Sequence, residues 1–220
     1  MACYNEKERI GNILKVVALH PLIYETIVID DGSTDGTKEI ATEYKSVRFI
    51  VHEKNQGKSR AVYSGIKEST GEFIFLLDAD LIGLTVENVM DILEPVIQDR
   101  ADVSISLRQN APLLWRIIGL DYLSGERVFR RKMLSDEAIL EISALPGFGL
   151  EVFLNKIIIS NHYRVKIVNW KNVLSPFKHK KQGLRNGLGS DIRMMREIFQ
   201  TISPVQSLLQ IISFLKLKID

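Results

Sequence analysis

The sequence has one cysteine, Cys3, in 220 residues, which excludes an internal disulfide framework and fits a reducing compartment. It has no uninterrupted apolar run near the roughly 20 residues of a membrane span. Met1 is followed closely by polar and charged groups, so no secretory leader is expected. Internal repeats and low-complexity tracts are absent too, which sets aside fibrous repeats and wholesale disorder. Charge of one sign is likewise missing: 29 Lys+Arg stand against 27 Asp+Glu, a formal net charge of +2.

That near-neutral total divides unevenly along the chain. Residues 1–160 hold 18 basic and 24 acidic side chains, net −6, whereas residues 161–220 hold 11 and 3, net +8. Two regions with different partners are expected. An apolar fraction of 45% over this length suits one sizeable core.

The first 110 residues alternate between two periodicities. Asn5 with Glu8 three positions on reads as a capping box, followed by Ile10, Ile13, Leu14 and Val17 at helical spacing. Thr26–Asp30, Val47–Val51, Glu72–Leu77 and Val103–Leu107 read as strands, and Asp35–Tyr44, Ser59–Ser69 and Val86–Gln98 as helices. Helical patterns recur at Leu113–Leu123 and Glu151–Ser160, with a strand at Val165–Val168. This alternation predicts an α/β fold with a doubly wound, mostly parallel sheet, whose ligands sit beyond the carboxyl ends of its strands.

Acidic and glycine residues gather at those ends. Asp78-Ala79-Asp80 follows an apolar strand, and two carboxylates so spaced can both reach a hard divalent cation; the plainer alternative is that they cap the following segment. In Asp30-Asp31-Gly32-Ser33-Thr34-Asp35-Gly36, a carboxylate can accept from ribose hydroxyls or a base N–H, while Asp35 caps the next helix. Asn55-Gln56-Gly57-Lys58 lies between a strand and a helix, where backbone N–H groups and the helix dipole suit a phosphate. It is not a P-loop, since the GxxxxGK[ST] spacing is absent.

Taken together, Ala2-Cys-Tyr-Asn-Glu6, Ile27–Gly36, Asn55–Lys58 and Leu76–Asp80 resemble, in order and spacing, the family 2 glycosyltransferases of the GT-A fold. The resemblance covers residues 1–160 well and the remainder loosely. It implies a Rossmann-like, mostly parallel sheet flanked by helices, with a C-terminal helical segment. It further implies that Ala2, Tyr4, Glu6 and Asp31 line the nucleoside of a UDP- or GDP-sugar, with Lys58 nearby. Asp78 and Asp80 would flank the ribose and a Mg²⁺ or Mn²⁺ ion, Asp80 being the stronger ligand. Ser124-Gly-Glu-Arg127-Val-Phe-Arg130-Arg131 and Gly147-Phe-Gly-Leu-Glu151 resemble segments of polyprenyl-phosphate glycosyltransferases, such as dolichyl-phosphate mannose synthases, and of glucosyl-3-phosphoglycerate synthases. Both groups use phosphate-bearing acceptors, which Arg127, Arg130 and Arg131, with Arg108, would clamp; a solvated helix face is the other reading. Glu151 either touches the sugar or acceptor or caps its helix. His179, in a basic loop, is either a third metal ligand or simply exposed. The family has an apolar strand just before the Ala2–Glu6 segment, and here the chain starts at its last residues, so the first strand is expected to be truncated. The Glu-Asp pair that many inverting members use as a base is also missing, which favours an already ionised phosphate acceptor over a sugar hydroxyl.

Residues 1–190 are thus expected to form the catalytic domain and 191–220 amphipathic C-terminal helices interrupted at Pro204. Those helices would lie on an anionic membrane surface, or pack on the domain or a second copy in a homodimer. Nucleic acid is not an expected partner, because the basic loop lacks interleaved aromatics. The expected activity is metal-dependent transfer of a sugar from a nucleoside diphosphate to polyprenyl phosphate, by a cytoplasmic protein peripheral on the inner membrane face. The alternatives are a soluble glucosyl-3-phosphoglycerate-synthase-like enzyme, an envelope-polysaccharide glycosyltransferase, or a nucleotide-binding module without turnover.

Overall fold

The computed structural model describes residues 1–111, 113–146, 149–176 and 203–219. Strands and helices alternate as β1 (Ala2–Cys3), α1 (Lys7–Val17), β2 (Thr26–Asp30), α2 (Thr37–Thr42), β3 (Val47–Val51), α3 (Lys58–Glu68), β4 (Phe73–Leu76), α4 (Val86–Ile97) and β5 (Val103–Arg108). There follow α5 (Leu113–Ile118), β6 (Arg127–Arg130), a 3₁₀ turn at Arg131–Met133, α6 (Asp136–Ile142), α7 (Gly149–Ser160), β7 (Val165–Trp170), α8 (Pro204–Leu217) and β8 (Lys218–Ile219). The expected α/β architecture is present.

The strands form two ladders, β1-β2-β3 and β4-β6-β5-β7-β8, joined by a parallel bridge between Ala2 and Asp78. The first ladder and the β5-β7-β8 pairs are parallel, while β6 runs antiparallel to both β4 and β5. Successive side chains on a strand point to opposite faces, so β2 sends Val28 toward Ile10, Ile13 and Leu14 of α1 and sends Ile27 and Ile29 toward Ala61 of α3. The helices α1 and α4 cover one face, and α3, α6, α7 and α8 the other.

Three local expectations need correction. The Asn5–Glu8 capping box does not form. Asn5 instead adopts a left-handed φ of 55°, and α1 begins after Glu6 without a side-chain cap. Its first amides are met from elsewhere: Glu6 N donates to Thr37 Oγ1 at 2.8 Å and Lys7 N to Asp35 Oδ2 at 3.1 Å. The loop after β2 and the first residue of α2 therefore perform the capping that local sequence was expected to supply. Secondly, Arg127–Arg130 is a strand, not a helix face. Thirdly, Pro204 opens α8 where an interruption was expected, preceded by a capping box between Ser203 and Gln206. That C-terminal segment joins the main body: Phe214 is buried in the large core and β8 pairs with β7. The preceding residues of the proposed C-terminal unit lie outside the described residues.

The strand β1 is two residues long. Ala2 touches both Ile29 of β2 and Asp78 after β4, so β1 lies between those strands. Beside Met1 and Ala2, the flanks Leu22–Ile27 and Phe73–Leu77 line a largely apolar groove of about 210 Å³, walled by Val17, Leu93 and Ile97 and by Ala61, Val62 and Ile66. The Met1 ammonium sits at this groove, donating to the Ile27 carbonyl at 2.8 Å; its burial pulls its pKa down to about 6.

Candidate functional site

The carboxyl ends of β1, β2 and β4 converge on a second cavity of about 310 Å³. Its lining includes Ala2, Tyr4, Glu6, Asp31, Lys58, Asp78, Ala79 and Asp80. The structure thus gathers on one cavity the residues expected at the nucleoside and the acidic pair.

Two adjacent aspartates divide their labour. Asp30, almost fully buried, accepts from Ser33 N at 3.1 Å and closes the turn after β2. Asp31 crosses to the next βα connection. Its carboxylate accepts from the backbone amides of Gln56 at 3.0 Å and Gly57 at 2.7 Å, and pairs with His52 Nδ1 at 2.8 Å. Gly32 makes this crossing possible: its φ is +77°, and a Cβ there would lie 2.8 Å from Asn55 N. Gly57, with φ +94°, then turns the chain into α3, whose first residue is Lys58.

Lys58 links the two halves of the site. Its Nζ lies 2.8 Å from Asp78 Oδ1 and 2.9 Å from Glu151 Oε1, across more than ninety residues of chain. Burial works against the Lys58 charge, yet the two carboxylates outweigh it and hold the ammonium above its ordinary range. For Asp78, burial pushes upward, but Lys58, aided by Arg108 and the N-terminus, holds the carboxyl below the usual carboxylate range. Glu151 is 2% exposed at the start of α7, and its Oε2 has no hydrogen-bond partner among the described residues. A buried carboxylate oxygen without a partner is a costly arrangement that an incoming hydroxyl or amide would relieve.

Sequence reasoning passed over Gly125 and His52. A Cβ on Gly125 would lie 2.6 Å from Asp78 Oδ2 and 2.7 Å from Lys58 Nζ, so a side chain here would displace the ends of that ion pair where the chain enters β6. Its signal was present in the Ser124-Gly125-Glu126 segment, but as one glycine among many. A lone histidine after a strand carries no spacing signal at all.

The arginines separate. Arg108, at the end of β5, is held by Asp121 at 3.3 Å and Glu126 at 3.5 Å, and its Nε has no hydrogen-bond partner among the described residues. Burial raises the Asp121 carboxyl despite Arg108. Arg127 is 1% exposed and structural: it donates to the Ser124 and Tyr122 carbonyls and to Asn155 Oδ1. Arg130 opposes Phe73, at the end of β4 away from Asp78, and pairs with Glu72 and Asp99. Arg131 donates to the Ile66 carbonyl and Ser69 Oγ at the end of α3. The expected three-arginine clamp is therefore not assembled, because an antiparallel strand carries Arg130 and Arg131 away from the end where Arg127 starts. His179 lies outside the described residues.

The donor set fits a hard divalent cation. Asp78 and Asp80 offer only carboxylate oxygens, and no cluster of three or more His, Cys, Asp or Glu side chains able to hold a metal is found among the described residues. One or two carboxylates suffice for Mg²⁺ or Mn²⁺, which keep waters and share substrate phosphate oxygens.

Comparison with known proteins matches the chain to one family and one fold. The family described as "Glycosyl transferase family 2" matches residues 1–147. The chain is 41% identical over 86 residues to a poly-beta-1,6-N-acetyl-D-glucosamine synthase of Staphylococcus epidermidis, covering 37% of this chain and 21% of that protein. It is 34% identical over 146 residues to a dolichol-phosphate mannosyltransferase of Pyrococcus furiosus, covering 62% of this chain and 37% of the relative. The chain thus spans well under half the length of these relatives. Among solved structures, glucosyl-3-phosphoglycerate synthase of Mycobacterium tuberculosis, in complex with Mn²⁺ and uridine-diphosphate-glucose, superposes with a TM-score of 0.67 at 20% identity, over 91% of this chain and 76% of that one. At that identity the likeness shows the shared fold.

Proposed function

Because the chain belongs to glycosyl transferase family 2, we propose that its cavity binds a nucleoside-diphosphate sugar with Mg²⁺ or Mn²⁺ and passes the sugar to a phosphate-bearing acceptor. The observation that carries this reading is the cavity lined together by Asp31, Lys58, Asp78 and Asp80, with Lys58 paired at once to Asp78 and to the buried Glu151. Ala2, Tyr4, Glu6 and Asp31 are the groups for the nucleoside. Lys58 brings a positive charge that can pass from Asp78 to a diphosphate oxygen. A divalent cation held by Asp78 and Asp80 would supply Lewis-acid stabilisation of the leaving diphosphate. Glu151 offers its unpaired oxygen to a sugar hydroxyl, which orients the ring for attack at the anomeric carbon.

For the acceptor, Arg108 is the arginine at the cavity end of the sheet, and its unpartnered Nε suits an anionic oxygen. Phosphate ionises near neutral pH without a general base, consistent with the expected class of acceptor. Polyprenyl phosphate is favoured over a small phosphorylated acid by α8, where Val205, Leu208, Leu209 and Ile212 are exposed apolar residues followed by Lys216 and Lys218. Such a stripe suits the surface of an anionic bilayer; no helix among the described residues is long and apolar enough to cross one.

A panel of UDP- and GDP-sugars with Mn²⁺, each offered polyprenyl phosphate in vesicles and 3-phosphoglycerate in solution, tests both levels. Lipid-dependent release of nucleoside diphosphate is expected. Turnover with the soluble acid alone would remove the lipid acceptor, and nucleotide binding without turnover in any arm would leave a binding module.

A further inference from the structure

His52 touches neither cavity, yet it joins three parts of the site. Its side chain is about one-tenth exposed at the end of β3, and its backbone N–H donates to the Asp30 carbonyl at 2.8 Å. Its Nδ1 lies 2.8 Å from Asp31 Oδ1, and its Nε2 lies 3.0 Å from Ser64 Oγ in the second turn of α3. Asp31 in its ionised form only accepts, so Nδ1 carries the proton. In neutral imidazole Nε2 is then the acceptor, and the Ser64 hydroxyl donates to it. Both ring nitrogens are thereby committed, and the imidazole has little freedom to turn.

What this fixes is the aim of Asp31. The same carboxylate accepts from Gln56 N and Gly57 N, the two amides immediately before Lys58. A carboxylate with three neighbours can settle in more than one way; one of its oxygens anchored by a rigid ring settles in one. Ser64 ties that ring back to the helix that Lys58 begins, closing a loop of contacts from α3 through His52 and Asp31 to the α3 N-terminus.

We propose that His52 is a positioning residue for nucleotide binding: through Asp31 it sets the Gln56–Gly57 turn, and so where Lys58 enters the cavity. This rests on the nucleotide-sugar reading above and extends it to a residue outside the cavity lining.

The amide nitrogen of asparagine can stand where Nδ1 stands, and that of glutamine where Nε2 stands. His52→Asn therefore keeps the Asp31 contact and releases Ser64, while His52→Gln does the reverse. Calorimetric titration with UDP and GDP in the presence of Mn²⁺, on the wild type, both variants and His52→Phe, separates the roles, with thermal melting run alongside. The asparagine variant should bind within about threefold of the wild type, whereas the glutamine and phenylalanine variants lose about tenfold or more, the effect of one charge-assisted hydrogen bond. A merely structural histidine would lower the melting temperature in all three without separating asparagine from glutamine in affinity. Equal affinity of those two variants, or wild-type affinity in His52→Phe, overturns the proposal. If His52→Phe does not fold, the asparagine–glutamine comparison decides alone. A wild type that binds neither nucleotide overturns the nucleotide-sugar reading, and this inference with it; a wild type that binds, with variants that bind equally, overturns this inference only.

Discussion

Lys58 stands between Asp78 and Glu151 with its ammonium shared by both, so Lys58→Met removes a cation and leaves two carboxylates facing each other. Donor turnover should fall about a hundredfold or more, the scale for losing one preorganised charge at a developing anion, measured as nucleoside diphosphate released. The pair also leaves a mark on stability. Because the folded Asp78 carboxyl is held low, its contribution is complete above the unfolded value near pH 4 and is lost as the pH falls through the depressed folded value. In EDTA, Lys58→Met should lack this part of the acid-unfolding curve. Cys3 makes a simpler case: burial, with Asp30 next to it, pushes the thiol up to about 12. It should resist alkylation in the native state at pH 8 and react once urea unfolds the chain; native-state labelling at the unfolded rate would contradict its placement. At this scale the acidic pair, Asp31, Lys58 and Glu151 were legible, because each sits in a short segment whose order along the chain matches a known pattern. Arg130 and Arg131 were misplaced because residue type gives charge but not which end of a strand holds it.

Among the elements, β6 matters most, since the chain entering it places Gly125 against Asp78 and Lys58 while its antiparallel run carries Arg130 to the other end. Gly125→Ala would push a methyl group into the ion pair. It should cost about 1–3 kcal/mol of stability in urea unfolding and weaken donor binding alongside; an unchanged midpoint and affinity would show that β6 can retreat. The strands and helices before residue 110 were readable from period alone, with ends shifted by one or two residues. The start of α1 was not, because its first amides are capped by Asp35 and by Thr37 at the start of α2, some thirty residues away, and local sequence carries no trace of that pairing. The antiparallel direction of β6 was invisible for the same reason: strand direction is set by tertiary connection.

For the whole molecule, the division of charge along the chain does not divide the sheet. The acidic region supplies β1 through α7, with the cavity at its strand ends, while the basic region adds β7 and β8 to the second ladder and lays α8 against the large core. The groove between the flanks of β2 and β4 is apolar on both walls and bounded by backbone, so it suits an extended β-branched segment better than a small ligand. Four such residues joined to Met1 should raise the melting temperature by about 4 °C or more and remove the buried ammonium; an unchanged or lower temperature would show that the groove does not accept a strand.

The central claim is that the cavity at Asp31, Lys58, Asp78 and Asp80 holds a nucleoside diphosphate through a divalent cation. Calorimetric titration of the wild type and Asp80→Asn with UDP and GDP, in Mn²⁺ and then in EDTA, tests it most directly. Binding of one nucleotide in Mn²⁺ that is lost both in EDTA and in Asp80→Asn is predicted; equal binding in all conditions, or none in any, would contradict it.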